Sequence, residues 1–147
     1  DRRIPVKQVE NLQSDIASFA KHWQSHQIDL VATGGLFHQY FIVFVVDESK
    51  NPPGGCSIDK SVHFLQQLEK KYDIGLFNRT IVYYLKDDTI NTLSLNKLSE
   101  AYHEKVIDNN TLFFDPLVKT KSEFLSGWLK PLEKSWHKKF INIPVNK

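Results

Sequence analysis

Phe41-Ile42-Val43-Phe44-Val45-Val46, then the breaker-rich stretch Asp47 to Gly55, then Cys56-Ser57-Ile58-Asp59-Lys60-Ser61: this run sets the architecture. The six apolar residues do not alternate with polar ones, which is the pattern of a strand buried on both faces, so they belong centrally in a covered sheet. Pro52, Pro53, Gly54 and Gly55 then break the chain. Ile58, Val62, Leu65, Leu68 and Tyr72 recur at helical spacing, so a helix begins near Ser57 and ends at Gly75.

Upstream, Leu12, Ile16, Phe19, Ala20 and Trp23 predict a helix near residues 9–25. Leu30 to Phe37 and Tyr40 to Val46 make a hairpin, with Gly34 and Gly35 marking a bulge or a close backbone approach. Downstream, Thr80 to Lys86 and Thr89 to Leu95 form a second hairpin around Asp87-Asp88, where turn preference alone accounts for the paired aspartates. A helix through Leu98, Ala101, Tyr102 and Val106 and a strand over Thr111 to Phe114 follow. Thr120 and Glu123 spell a capping box opening a last helix, which Pro131 stops or kinks. The expected fold is α/β: a mixed sheet of about five strands, from two hairpins plus one strand, packed by about four helices. Its central unit is a parallel crossover from the Tyr40–Val46 strand through the Ser57 helix to the Thr80 strand. That crossover brings Asp47, the Gly54–Lys60 turn, His26 and Asp87-Asp88 to one end of the sheet.

The chain has 147 residues, 41% hydrophobic and 12% aromatic. That fits a single domain over 1–147 which buries roughly 70% of its unfolded surface. No apolar run approaches the ~20 residues of a membrane span, and the start of the chain lacks signal-peptide features. Cys56 is the one cysteine; it cannot form an internal disulfide, and the cytoplasm is the expected compartment. The net charge of +2 conceals an asymmetry: residues 116–147 carry 7 Lys against 2 Glu. Lys119, Lys121, Lys130, Lys134, Lys138 and Lys139 are interleaved with Phe124, Trp128, Trp136 and Phe140.

The glycine-led turn into the second helix is the main candidate site. A helix N-terminus presents unpaired amides and a positive dipole end, so Gly54, Gly55, Cys56, Ser57 and Lys60 are the expected ligand-binding residues for an anion. The segment nearly spells a phosphate-binding loop, but Asp59 stands where the second glycine is needed, which argues against nucleotide hydrolysis. In structural terms Ser57 is an N-cap and Asp59 complements the dipole. Cys56 in the same place is a candidate nucleophile, with His26 as base and Asp47 to orient it. His22 and His26, four residues apart, have the spacing of two metal ligands, but no third ligand is in view, so no metal is expected. No motif calls for a cofactor.

Gly55-Cys56-Ser57-Ile58-Asp59-Lys60-Ser61-Val62-His63, Leu76-Phe77-Asn78-Arg79-Thr80, Leu117-Val118-Lys119-Thr120-Lys121, and Trp128 followed by Pro131 and Ser135-Trp136-His137 together resemble a small family of uncharacterised bacterial proteins. Its members are often catalogued as ABC transporter ATPases. The resemblance covers most of the chain and implies no activity for any one residue. The sequence lacks a complete Walker A and any Leu-Ser-Gly-Gly-Gln-like signature.

Three functions follow from the sequence. The first is a non-enzymatic domain that binds a small anion or a protein partner at Gly54–Lys60. The second is an enzyme using Cys56. The third is a nucleic-acid or acidic-partner binder using residues 119–140, disfavoured because such a footprint usually makes the whole domain strongly basic.

Overall fold

The computed structural model describes residues 1–142, so Lys147 of the basic segment lies outside the described residues. The α/β class holds, with helices and antiparallel strands in both halves. The chain divides into two compact units, Asp1–Phe77 and Asn78–Lys147, each described by itself.

The first unit opens with α1 (Val6–His22), entered from the extended Pro5. Its buried stripe is Leu12, Ile16 and Ala20. The helix ends three residues earlier than its periodicity predicts, because Trp23 turns into extended backbone (φ −72°, ψ 128°). There a small hairpin begins, β1 (Gln24–Ser25) and β2 (Ile28–Asp29). Its two-residue loop is His26 (φ 52°) and Gln27 (φ 64°). Two left-handed residues make the turn whose twist suits a hairpin. Here it is built without the Asn-Gly signature of such turns, so helical periodicity extends over its first strand, Gln24–Ser25.

β3 (Val31–Phe37) and β4 (Phe41–Asp47) form the expected antiparallel hairpin, with Val31 opposite Asp47 and Phe37 opposite Phe41. Leu36, Ile42 and Phe44 pack toward α1, joining Leu12, Ile16, Leu68, Tyr72 and Ile74 in the core. Gly34 is where the helix crosses the sheet. A Cβ added there would lie 2.6 Å from Phe44 Cδ1 and 2.9 Å from Ile16 Cγ2. The glycine is therefore a close approach of backbone to packed side chains.

α2 (Gly55–Tyr72) begins two residues before Ser57, with Gly54 as N-cap. It ends at Asp73 in the left-handed conformation (φ 53°), two residues ahead of Gly75. Its buried residues are Ser57, Leu68 and Tyr72, with Phe64 and Leu65 partly buried. Ile58 and Val62, expected in the apolar stripe, are exposed. The helix is rotated because the aromatic ring of Phe64 stacks on Phe19 of α1 (centroids 4.2 Å apart, planes 4°). Asp15 ties the two helices, accepting from Lys71 Nζ (2.7 Å) and Tyr72 Oη (2.6 Å).

The second unit is a four-stranded antiparallel sheet in the order β6-β5-β7-β8, from β5 (Ile81–Lys86), β6 (Thr89–Ser94), β7 (Leu112–Phe114) and β8 (Leu129–Pro131). Asp87 (φ 51°) and Asp88 (φ 55°) form a left-handed hairpin loop, a structural role as expected. Val82, Tyr84, Phe113 and Leu132 of the sheet region close on Leu98 and Ala101 of α3 (Leu98–His103), with Ile107 and Ile141. The Thr120 cap forms at α4 (Lys121–Gly127): Thr120 Oγ1 accepts from the Glu123 amide (3.1 Å), while Glu123 Oε2 accepts from the Lys119 amide (2.7 Å), one residue further back than the N-cap amide of a full capping box. That helix ends before Pro131, which sits in β8.

One expectation is corrected. Among the described residues β4 pairs only with β3, β5 pairs only with β6 and β7, and every pairing is antiparallel. There is no single mixed sheet and no parallel crossover through α2. The rule that orients such crossovers applies only to strands sharing a sheet.

Gly34→Ala is expected to destabilise the first unit by about 1–3 kcal/mol through overpacking. Gly55→Ala, where an added Cβ meets nothing within 4 Å, should stay within about 0.5 kcal/mol. Urea midpoints of the two variants check this, and equal shifts would contradict the close approach at Gly34.

Candidate functional site

The first turn of α2 is held from behind. Trp23 is buried and its Nε1–H donates to the Ser57 carbonyl (2.8 Å). The Gly54 amide donates to Ser25 Oγ (3.2 Å), and Asn51 Nδ2 donates to the carbonyls of Ser25 (3.3 Å) and Ile28 (3.1 Å). The Pro-Pro-Gly approach to the helix is thus fastened to the β1–β2 hairpin. Ser57 is not the N-cap. It lies inside the first turn, 1% exposed, with Oγ donating to the Gly54 carbonyl (2.7 Å).

The Gly54 carbonyl also accepts from the amides of Ser57 (3.1 Å) and Ile58 (3.0 Å). The amides of Gly55 and Cys56 have no partner among the described residues, as expected for the first positions of a helix. Both residues are exposed, and no side chain caps the turn. His26 comes to the same corner: a Cβ built on Gly54 would lie 3.5 Å from its Nε2. Lys60 is exposed. It stands five residues beyond Gly55, about 7.5 Å along the axis, and Ser61 Oγ is spent on the Ile58 carbonyl (2.6 Å). The loop is therefore not wound into a phosphate cradle closed by a lysine-serine pair.

The three residues proposed for thiol catalysis are only partly assembled. Cys56 is a free, exposed thiol. No hydrogen bond joins it to His26 among the described residues. Asp47 does not orient His26. Hydrogen bonds from Ser49, whose amide donates to Asp47 Oδ1 (3.0 Å), hold the Asp47 carboxyl below its ordinary value. A nucleophile needs its base, and the base its orienting group, within hydrogen-bond reach; neither link is made. His22 ends α1 while His26 sits in a hairpin turn, so the helical spacing read for them is absent. No cluster of three metal-ligating side chains exists among the described residues.

The basic C-terminal segment is broken into α4, β8 and two short 3₁₀ turns, and its rings are packed. Trp128 lies against Phe114 (5.0 Å) and Phe124 (4.6 Å), and Trp136 stacks on His137 (4.0 Å). Lys130 pairs with Asp115 (2.8 Å).

Two features were not read from the sequence. A groove of about 390 Å³ runs between α1 and α2, floored by Phe19 and Phe64 and edged by Asp15, His22, Gln67 and Lys71. In the second unit, Ser135 Oγ and His137 Nδ1 share a short hydrogen bond, with Asp115 nearby. The trio resembles a catalytic arrangement, but Ser135 is 6% and His137 1% exposed, so no substrate reaches them. Burial pushes the His137 imidazole down to about 4, against the opposing pull of Asp115.

That burial has a pH signature. Between about 6.5 and 4 the unfolded chain takes up a proton at His137 and the folded chain does not. Stability is therefore fully present above pH 6.5 and falls as pH drops toward 4, by about 3 kcal/mol. His137→Asn, which keeps an acceptor for Ser135, should flatten this slope in denaturant unfolding at pH 7 and pH 4.5. An unchanged slope would contradict a buried neutral imidazole.

No helix among the described residues is long and apolar enough to cross a membrane. No protein-family model, no curated protein and no solved structure matches the chain.

Proposed function

We propose that this chain is a binding domain and not an enzyme, and that the first turn of α2 receives an anionic group carried by a small ligand or a protein partner. The observation that carries the reading is the pair of unpartnered, exposed amides of Gly55 and Cys56 in a turn fastened by Trp23, Ser25 and Asn51. Rigid donors lose little freedom on binding, and the dipole end of an eighteen-residue helix favours negative charge. The His26 imidazole beside Gly54 and the Lys60 ammonium further along the helix add a third donor and a positive charge. Cys56 contributes its amide, and its exposed thiol suits a reducing compartment, which we take to be the cytoplasm.

Titration with inorganic phosphate, followed by amide NMR, tests the reading. Saturable shifts are expected at Gly55, Cys56 and His26. Gly55→Pro removes one donor at the first helical position, where proline is well tolerated after an extended residue. Gly54 is extended there (φ −98°, ψ 179°). The variant should keep the fold and weaken phosphate binding by about fivefold or more. Shifts spread evenly over surface lysines, with none at Gly55 and Cys56, would overturn the proposal.

A further inference from the structure

α1 and α2 are tied to each other at one end by Asp15 with Lys71 and Tyr72 and at the other by Trp23 with Ser57. Between the ties Phe19 and Phe64 stack, with centroids 4.2 Å apart and planes 4° from parallel. The groove of about 390 Å³ opens beside them, inside the range of about 300–1,000 Å³ usual for small-ligand sites. Its floor is in place before any ligand arrives. Each ring spends a face on the other, and both also lie against Phe44 (5.5 and 6.4 Å), so neither is free to swing over and fill the space. Such a floor favours a flat aromatic body, because ring pairs gain beyond their buried area when faces and edges meet.

The rim selects charge. Its titratable groups are Asp15, Lys71 and His22. The Asp15 carboxylate already accepts from two donors through Oδ2, Lys71 Nζ (2.7 Å) and Tyr72 Oη (2.6 Å), and its side chain is 29% exposed. The Lys71 ammonium has three hydrogens to give. Among the described residues its one ion pair is with Asp15, and its side chain is 58% exposed. His22 Nδ1 lies 2.9 Å from the Ser18 carbonyl, which can only accept, so that nitrogen carries a proton and the ring adds no negative charge. An arriving cation would have to displace Lys71 from its carboxylate, whereas an arriving carboxylate meets spare N–H groups and gains charge-assisted hydrogen bonds.

We propose that the groove between α1 and α2 binds a small aromatic carboxylate, with its ring against Phe19 and Phe64 and its carboxylate on Lys71. Asp15 is a positioning residue in this arrangement. It tethers the ammonium at the groove, so Lys71 loses less freedom on binding than an untethered surface lysine would. The site is separate from the first turn of α2 and does not depend on anion binding there.

NMR of the unmodified chain, titrated with indole-3-acetate, the neutral indole-3-acetamide and plain acetate, tests the proposal. Indole-3-acetate should give saturable shifts at Phe19, Phe64 and Lys71 and bind about tenfold or more tighter than the amide. Its affinity should be unchanged in saturating inorganic phosphate, and acetate alone should leave the Phe19 and Phe64 resonances unmoved. Ser18→Trp fills the groove from an exposed helix position; it should abolish the shifts with an unchanged far-ultraviolet circular dichroism spectrum. Lys71→Gln should weaken binding about fivefold or more, and Lys71→Arg should keep most of it. If Lys71→Gln loosens the helices by releasing Asp15, the comparison of acid with amide on the unmodified chain still decides. Equal affinity for acid and amide overturns the proposal, as does binding that survives Ser18→Trp or the absence of saturable shifts at Phe19 and Phe64. Shifts confined to Gly55 and Cys56 and lost in phosphate also overturn it, since the acid would then act as a simple anion at the start of α2.

Discussion

The indole of Trp23 is the contact on which the first unit turns. Its ring lies against Phe19 (5.3 Å) and Phe44 (5.7 Å), and its N–H reaches the Ser57 carbonyl. Burying so large a ring contributes several kcal/mol only if the polar nitrogen finds a partner. Ser57 supplies that partner, so the rim of the core and the first turn of α2 are set by one side chain. The same demand explains why α1 stops where it does. The chain leaves the helix at Trp23, and the extended backbone that follows makes the β1–β2 hairpin that Gly54 and Asn51 lean on.

Anchoring from behind also explains what the turn leaves exposed. A helix start is normally satisfied by a serine or aspartate reaching forward over the first amides. Here Ser57 faces inward, Asp59 lies beyond the first turn, and no side chain caps the helix. The amides of Gly55 and Cys56 stay open because the residues that would have covered them hold the helix to the core or point elsewhere.

Local features were legible from the sequence, and long-range ones were not. The β3–β4 and β5–β6 hairpins, the close approach at Gly34, the cap at Thr120 and the structural role of Asp87-Asp88 all follow from residues within a few positions of one another. The partition of strands does not, because periodicity reports that a strand exists and not which strand it joins. The site follows the same rule: the crossover predicts Asp47 beside His26, whereas its carboxylate accepts from the Ser49 amide. His26 did reach the Gly54 turn, but through a left-handed His-Gln hairpin rather than as a neighbour on a common sheet edge. The rotation of α2 was hidden for a similar reason. Ile58 and Val62 fit a helical stripe with Leu65, Leu68 and Tyr72 as well as Phe64 does, and the local sequence does not show that Phe64 stacks on Phe19 while Ile58 and Val62 stay exposed.

β4 shows where hydropathy stops being informative. Six apolar residues in a row state that both faces of a strand prefer cover, because side chains alternate between faces. The run carries no information about the two edges, where the groups in question are backbone N–H and C=O and are the same for every residue but proline. A strand can therefore read as central while, among the described residues, it pairs only with its own hairpin partner. Gln13 breaks the degeneracy: by taking the Leu36 amide (2.7 Å) it makes Leu36 and Ile42 a non-hydrogen-bonded pair of the ladder, and the register then fixes which residues of β4 bond β3. A single side chain on α1 thus settles a property of a strand it does not belong to, and no local reading of residues 41–47 contains it.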